Sequence, residues 1–424
     1  MNTVIVAGCR TPFIRSQSEF KKLSAIDLGK VAVREAVARS GVDPKTVDQL
    51  VFGTVVHDVQ APNIAREVGL ATLPKTVPAW TVSRACTSSN QAIADGVNLI
   101  RMGYAHTVVA GGSESLTHIP ITLTDPLAQA LMEASRSKTA GARLRAFRRI
   151  RPRDLLPVAP QIAEPTTGET MGEATERMAK ENGISRADQD AWALRSHRLA
   201  LAGTGDGRLL EEVAPVYLPP EFERVVDRDN GIRSDTTLDA LSKLRPVFDR
   251  KHGTITAGNA SPLTDGASAV VLMSEERAKE DGLSPIARIR GYAWAAVDPG
   301  GQLLQGPAYA APIALDRAGV AMSDIGLLEM HEAFAAQVLS NLQALGSLKF
   351  AEAELGRSRP VGLPPEDRVN VMGGSIAIGH PFGATGGRIT MTLANEMRRR
   401  DVELGLLTVC AAGGMGFAMV LERV

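Results

Sequence analysis

The chain has 424 residues, too many for one simple domain at roughly 150 residues per core-forming unit. Apolar residues make up 44% and charged residues 22%, an ordinary globular balance, with aromatics at only 4%. Lys plus Arg number 47, as do Asp plus Glu, so the net charge is zero and no global field points to nucleic acid.

The opening MNTVIVAGCRTPF reads as a strand with no charged leader before it. SAIDLGKVAVREAVARSG (24–41) is an amphipathic helix, begun by a serine and ended by a glycine. VDQLVFGTVV follows as a strand, NIAREVGLATL as a helix and PAWTVSRAC as a strand. SSNQAIADGVNLIRMG is then a helix and HTVVAGG a strand. Such alternation predicts parallel pairing, with helices covering the sheet.

Residues 121–245 break the pattern. They hold RSKTAGARLRAFRRIRPR (136–153), which has no acidic residue, and then helical segments around MGEATERMAKENG and SRADQDAWALRSHRLAL. This reads as an inserted domain. Helical spacing places Leu131, Leu144 and Phe147 among the basic residues. The stretch is either a solvated basic face or a surface for a phosphate-bearing ligand, an acidic partner or a membrane.

Beyond 276 the alternation returns, with IARIRGYAWA, PIALDRAGV, GLLEMHEAF, RITMTLANEMRRR and GLLTVCAAGG. HTVVAGGSES and LTVCAAGGMG both run from a strand into a double glycine, which suggests two related halves. The uncharged LGLLTVCAAGGMGFAMVL (404–421) has the length of a membrane span, but its glycines predict two buried strands and a turn.

Cys9, Cys86 and Cys410 form neither a disulfide framework nor a zinc spacing, so a reduced, cytoplasmic protein is expected. Cys86 falls where a strand stops and a helix begins. There the helix dipole and free N–H groups favour a thiolate. It is either a small core residue or a nucleophile in need of a base. His380, in GGSIAIGHPFGATGGR, is either a satisfied core histidine or that base. Its glycines lack the GK[ST] of a phosphate loop. Cys410, at a strand end in TVCAAGGMG, is a buried strand residue or an acid–base group. His331, in LEMHEAFAAQ, is a cap or a site residue, and Cys9 reads as core or loop.

Together TVSRACTSSNQA, HEAFAAQ, GGSIAIGHPFGATGGR and CAAGGMGFAMVLE, in this order, resemble the thiolase family. The likeness runs from Asn2 to Glu422 and includes TMGEATERMAKENGISRADQD and GTITAGNASPLTDGASAVVLMSE. HEAF, FDRKHGTITA and RLRAFRRIRPRDLLPV are similar to the thiolase subunits of fatty-acid oxidation complexes, the trifunctional-protein β-subunit type.

The resemblance implies an α/β fold, the five-layered αβαβα thiolase fold of two related halves. Residues 1–120 and 246–275 would form the N-terminal half, 121–245 an inserted loop domain and 276–424 the C-terminal half. It implies an acetyl-CoA acyltransferase with coenzyme A as co-substrate and neither a prosthetic group nor a metal. Cys86 would take the acyl group, His380 its proton, and Cys410 would protonate the departing carbanion. Backbone N–H groups of Cys86 and Ala412 would hold one oxyanion. His380, with His331 where most relatives hold a water through asparagine, would polarise the second carbonyl. Ser261, Ala257, Met171, Ala333 and Phe334 would line the pantetheine arm, and Arg233 would stand near the nucleotide end. Thr170 replaces a histidine of some short-chain relatives. A homo-oligomer, dimer or tetramer, is implied. So is a hydratase/dehydrogenase α subunit or a peripheral membrane contact at the loop domain. The rivals are an acetoacetyl-CoA biosynthetic thiolase, a ketoacyl synthase needing no second cysteine, and a non-catalytic thiolase-like subunit.

Overall fold

The computed structural model describes residues 1–158 and 163–424. Strands β1 (Thr3–Arg10), β2 (Gln49–Gly53), β3 (Ala79–Val82), β4 (Thr107–Glu114) and β5 (Thr264–Ser274) belong to the first half of the fold. Strands β6 (Ala287–Ala296), β7 (Leu327–Met330), β8 (Leu404–Ala411) and β9 (Met415–Arg423) belong to the second. They run in the order β7-β8-β9-β6-β1-β5-β4-β2-β3. Among the described residues two pairs, Val4 with Arg288 and Ile5 with Ala287, carry the ladder from one half to the other.

The sheet is mixed rather than parallel. β2 lies parallel to β3 and β4, and β7 to β8, as the alternation predicts. But β5 is antiparallel to both β4 and β1. It enters after the 121–245 segment, from the opposite end, so no helix crossover fixes its direction. PAWTVSRAC also stops being a strand earlier than predicted, at Val82, because the chain must turn to bring Cys86 into place.

Both faces of each half are covered. Val270 and Leu272 of β5 pack in the cluster that holds Ile93, Val97, Ile389 and Leu393, whereas Val271 and Met273 pack with Leu28 and Val33. In β8, Leu407 and Val409 join that first cluster, while Leu404 and Leu406 pack with Ala311 and Leu315. Alternate side chains thus enter different layers, as the two-residue period of a strand requires. The outer layers are α1 (Ala25–Ser40) on one side and α4 (Gly306–Ala318) on the other. The inner layer is α2 (Ser88–Arg101) beside α5 (Thr385–Arg399), and α3 (Arg186–Gly205) comes between α2 and α4 in the chain. Every residue of α5 from Thr385 to Met397 is buried, the pattern of a helix enclosed on all sides. Its N-terminus meets α2 so closely that a methyl group on Gly386 would lie 2.1 Å from Asn90 Oδ1.

α1 begins and ends as predicted. Ser24 and Asp27 form a capping box, and Gly41 closes the helix at φ 71°. The 404–421 run is β8 and β9, paired antiparallel across Ala412–Gly414. Among the described residues no helix is long and apolar enough to cross a membrane.

Residues His118–Ala163 form a compact unit of their own. Helices Asp125–Arg136 and Ala140–Ala146 and an antiparallel bridge from Thr122 to Val158 build it. Leu144, Leu155 and Leu156 are more than half exposed there, and Arg143, Arg145, Arg148 and Arg149 are exposed beside them.

Candidate active site

Cys86 stands at the carboxyl edge of β3, in the turn that starts α2. Ala85 adopts a left-handed backbone at φ 45°, a conformation costing about 1–2 kcal/mol for a residue with a side chain. Three local bonds hold the turn. Arg84 N–H donates to Ser88 Oγ at 2.8 Å, Ser88 Oγ to Ala85 O at 2.7 Å and Thr87 Oγ1 to Arg84 O at 2.7 Å. The Arg84 guanidinium lies 4.0 Å over the Trp294 ring.

Both predicted histidines reach this cysteine. Cys86 Sγ and one ring nitrogen from each of His331 and His380 lie within 4.8 Å of one another. The rings are 4.1 Å apart between centroids. Their Nδ1 atoms are occupied, His331 by Ser375 Oγ at 3.0 Å and His380 by Thr385 Oγ1 at 2.6 Å. Among the described residues their buried Nε2 atoms have no hydrogen-bond partner, which leaves them as the nitrogens free to serve the thiol. A thiol and two imidazoles in this space also have the composition of a metal-ligand set.

Tautomers follow from the neighbours. Thr385 Oγ1 donates its hydrogen to Pro381 O at 3.0 Å, so it accepts from His380 Nδ1–H. That leaves His380 a lone pair at Nε2, the form of a base.

Burial pushes the Cys86 thiol up to about 11, although N–H groups of Ala412 and of Cys86 itself pull it down. Burial, with Arg388 nearby, pulls His380 down to about 3. Thiol and imidazole therefore both rest uncharged. His331 is held well below its ordinary value by burial, by His380 and by Arg388. Cys410 is wholly buried at the end of β8. Its thiol is raised well above its ordinary value, first by burial and then by nearby Cys86. It is thus kept in its acid form.

The walls are stitched by residues 259–263. Ser261 N–H donates to Ala333 O and Ala335 N–H to Asn259 O, both at 2.9 Å. Ala260 bridges Phe334, and Leu263 bridges His380. Met171, Ala333 and Phe334 pack with Cys410, Leu303 and Leu304. Arg233 is exposed, and its N–H donates to His197 Nδ1 at 3.3 Å. Ala257 is also exposed. Among the described residues no hydrogen bond or packing cluster joins Ala257 or Arg233 to the thiol.

Three buried carboxylates hold the loops, and pattern reading missed all three. Glu114 accepts from Thr54 Oγ1 and from the N–H groups of Val55, Val56 and Gly383, tying the His380 loop to the first half. Burial raises it to about 7. Glu332 accepts from Trp192 Nε1, Ser196 Oγ, Asn370 Nδ2 and Ile376 N–H. Glu164 accepts from Gly413 N–H at 2.9 Å and so fixes the turn that presents Ala412. Glu114 carries one readable signal, a lone acid at the end of an apolar strand, which marks a buried partner rather than a solvated face.

A strand-to-helix cysteine facing an imidazole base, with a second thiol behind it on a layered α/β frame, defines a thiolase-type acyltransferase. Residues 3–276 match the thiolase N-terminal domain and residues 283–423 the thiolase C-terminal domain. The chain belongs to the thiolase family. It is 50% identical over 419 residues to proteins named 3-ketoacyl-CoA thiolase from Yersinia enterocolitica and Cronobacter sakazakii, covering 99% of this chain and 96% of each relative. The Bacillus anthracis acetyl-CoA acetyltransferase structure superposes with TM-score 0.86 at 34% identity, covering 100% of this chain and 99% of that one. Human mitochondrial 3-ketoacyl-CoA thiolase does so with TM-score 0.84 at 31% identity and the same coverage. A CoA complex of the human enzyme gives TM-score 0.83. The thiolase fold expected from the motifs is therefore present.

Proposed function

We propose that this chain is a 3-ketoacyl-CoA thiolase that cleaves its substrate with coenzyme A through a Cys86 acyl-enzyme, in fatty-acid β-oxidation. The observation carrying this reading is the meeting of the Cys86 thiol with a neutral imidazole base, next to a second protonated thiol.

Cys86 Sγ attacks the keto carbon while its proton passes to His380 Nε2. The carbon–carbon bond breaks, and its electron pair becomes the enolate of acetyl-CoA. Cys410 gives that enolate a proton. Coenzyme A then loses its thiol proton to the Cys410 thiolate and takes the acyl group. Cys86 recovers its proton from His380. N–H groups of Cys86 and Ala412 hold the oxyanion at the acyl carbon, and His331 and His380 face the thioester oxygen. Each such donor is worth about 100- to 1,000-fold in rate. Reversal gives a Claisen condensation.

Ser261, Ala257, Met171, Ala333 and Phe334 line the pantetheine arm in this reading, and Arg233 meets phosphate. The halves divide at 1–120 with 246–275 and at 276–424, around the 121–245 insertion. The protein is cytoplasmic and homo-oligomeric. Exposed arginines and leucines of 118–163 support docking of a hydratase/dehydrogenase partner or a peripheral membrane contact. A second reading, acetoacetyl-CoA synthesis, is favoured by the likeness to the acetyl-CoA acetyltransferase structure.

The purified protein, given coenzyme A and 3-ketoacyl-CoA substrates of four to sixteen carbons, should release acetyl-CoA. Turnover confined to the four-carbon substrate would favour the second reading. No turnover at any length would end both.

A further inference from the structure

His331 and His380 are chemically the same side chain within one centre, so something must make them act differently. The groups behind them do so. Among the described residues Ser375 Oγ has two hydrogen-bond partners, His331 Nδ1 at 3.0 Å and Arg388 Nη2 at 2.8 Å. A guanidinium has donors and no acceptor, so Ser375 accepts from Arg388. The one hydroxyl hydrogen of Ser375 is then free for His331 Nδ1. Were Nδ1 protonated instead, two donors would point at one buried oxygen and the hydroxyl hydrogen would lose its acceptor. Such an orphan disfavours that tautomer by roughly tenfold to a hundredfold.

We infer that Arg388, acting through Ser375, fixes His331 as the Nε2–H tautomer, so that it serves as a hydrogen-bond donor beside the base His380. The inference rests on the thiolase reading of Cys86, His380 and His331. Arg388 and Ser375 are positioning residues, since their hydrogen bonds reach His331 and not the thiol. Arg388 is 1% exposed, and among the described residues its Nε and Nη1 have no hydrogen-bond partner, so Ser375 is where its direction is read. Its positive charge also opposes a proton on either ring. The contrast with His380 is complete at the level of single atoms. Thr385 uses its hydrogen on Pro381 O and so receives one from His380 Nδ1. One ring presents a lone pair to the site, the other an N–H. Three lone pairs around one space would make a metal-ligand set. A hydrogen on His331 Nε2 makes a base and a donor instead, suited to an oxygen that gains negative charge.

The test uses the whole protein labelled with 15N-histidine, the His331 signals assigned by their loss in His331→Asn. The wild type should show His331 protonated at Nε2 and bare at Nδ1. Ser375→Ala should abolish that preference and lower kcat for thiolysis about tenfold or more, with KM nearly unchanged. It should still acylate Cys86 from hexanoyl-CoA, seen by intact mass, because that step uses the other oxyanion donors. Ser375→Thr keeps the hydroxyl and should restore kcat to within about threefold. A wild-type His331 protonated at Nδ1 would overturn the inference, as would a folded Ser375→Ala with wild-type kcat. If the alanine variant does not fold, the wild-type spectrum decides alone. A wild type that turns over no 3-ketoacyl-CoA defeats the thiolase reading instead, and the spectrum still reports the tautomer.

Discussion

His331 and His380 lie 4.1 Å apart between ring centroids, tilted by 48°, and neither Nε2 has a hydrogen-bond partner among the described residues. One ring nitrogen of each lies within 4.8 Å of Cys86 Sγ, so the two imidazoles and the thiol share one space. With the tautomer inferred above, His331 would donate directly where the resemblance implies a water held through asparagine in most relatives.

His331→Asn preserves a neutral donor and should keep thiolysis within about tenfold of the wild type. His331→Ala removes it and should cost about 100- to 1,000-fold in kcat, the ordinary loss of one oxyanion donor. Steady-state kinetics on acetoacetyl-CoA separates the two. Equal losses would mean that the ring, not its N–H, is what matters.

The two thiols should fail differently. Cys86→Ala should give no acyl-enzyme by intact mass with any acyl-CoA. Cys410→Ala should still be acylated by hexanoyl-CoA, yet lose about 100-fold or more in carbon–carbon cleavage. Matching behaviour of the two variants in acylation would contradict this division of labour.

The pH dependence has a definite sign. His380 is held at about 3, against an ordinary 6.5. Its base form therefore survives as pH falls through 6.5, and the acylation rate should show no loss centred there. Stability behaves otherwise, because the unfolded chain takes up this proton near 6.5 while the folded one resists until about 3. His380 thus destabilises the fold progressively from 6.5 downward, and His331, also lowered, adds to it. Stopped-flow acylation and thermal melts over pH 5–8 check both halves. An acylation limb with a midpoint near 6.5 would show the ring to be solvated.

Gly112 of β4 packs against the His380 loop so tightly that an added Cβ would lie 2.0 Å from Gly383 O and 2.7 Å from Gly53 O. Both neighbours are backbone and cannot swing away. Gly112→Ala should therefore destabilise by about 1–3 kcal/mol and lower kcat by displacing Gly383, which Glu114 holds. Thermal melting with and without CoA, alongside turnover, measures this.

Much of the centre was legible because its chemistry sits at element boundaries. Cys86 before SSNQAI, His380 among glycines and Cys410 at a strand end each break a local pattern, and the first two meet in the folded chain. The supporting layer was less visible. Arg388 lies in RITMTL and reads as an ordinary helix residue, since nothing in the spacing shows that α5 is buried on every side. The direction of β5 was hidden for a related reason. Its run of apolar residues is the same read either way, and only the path of the preceding segment decides.

Residues 259–263 run without a break into β5, which is buried along its whole length. The segment that stitches the walls is therefore an extension of a fully buried strand rather than a separate flap. Amides of Ser261 and Ala335 should exchange with deuterium nearly as slowly as those of β5 itself. On heating, loss of turnover and loss of tertiary structure should then coincide, with no inactive but folded state between them.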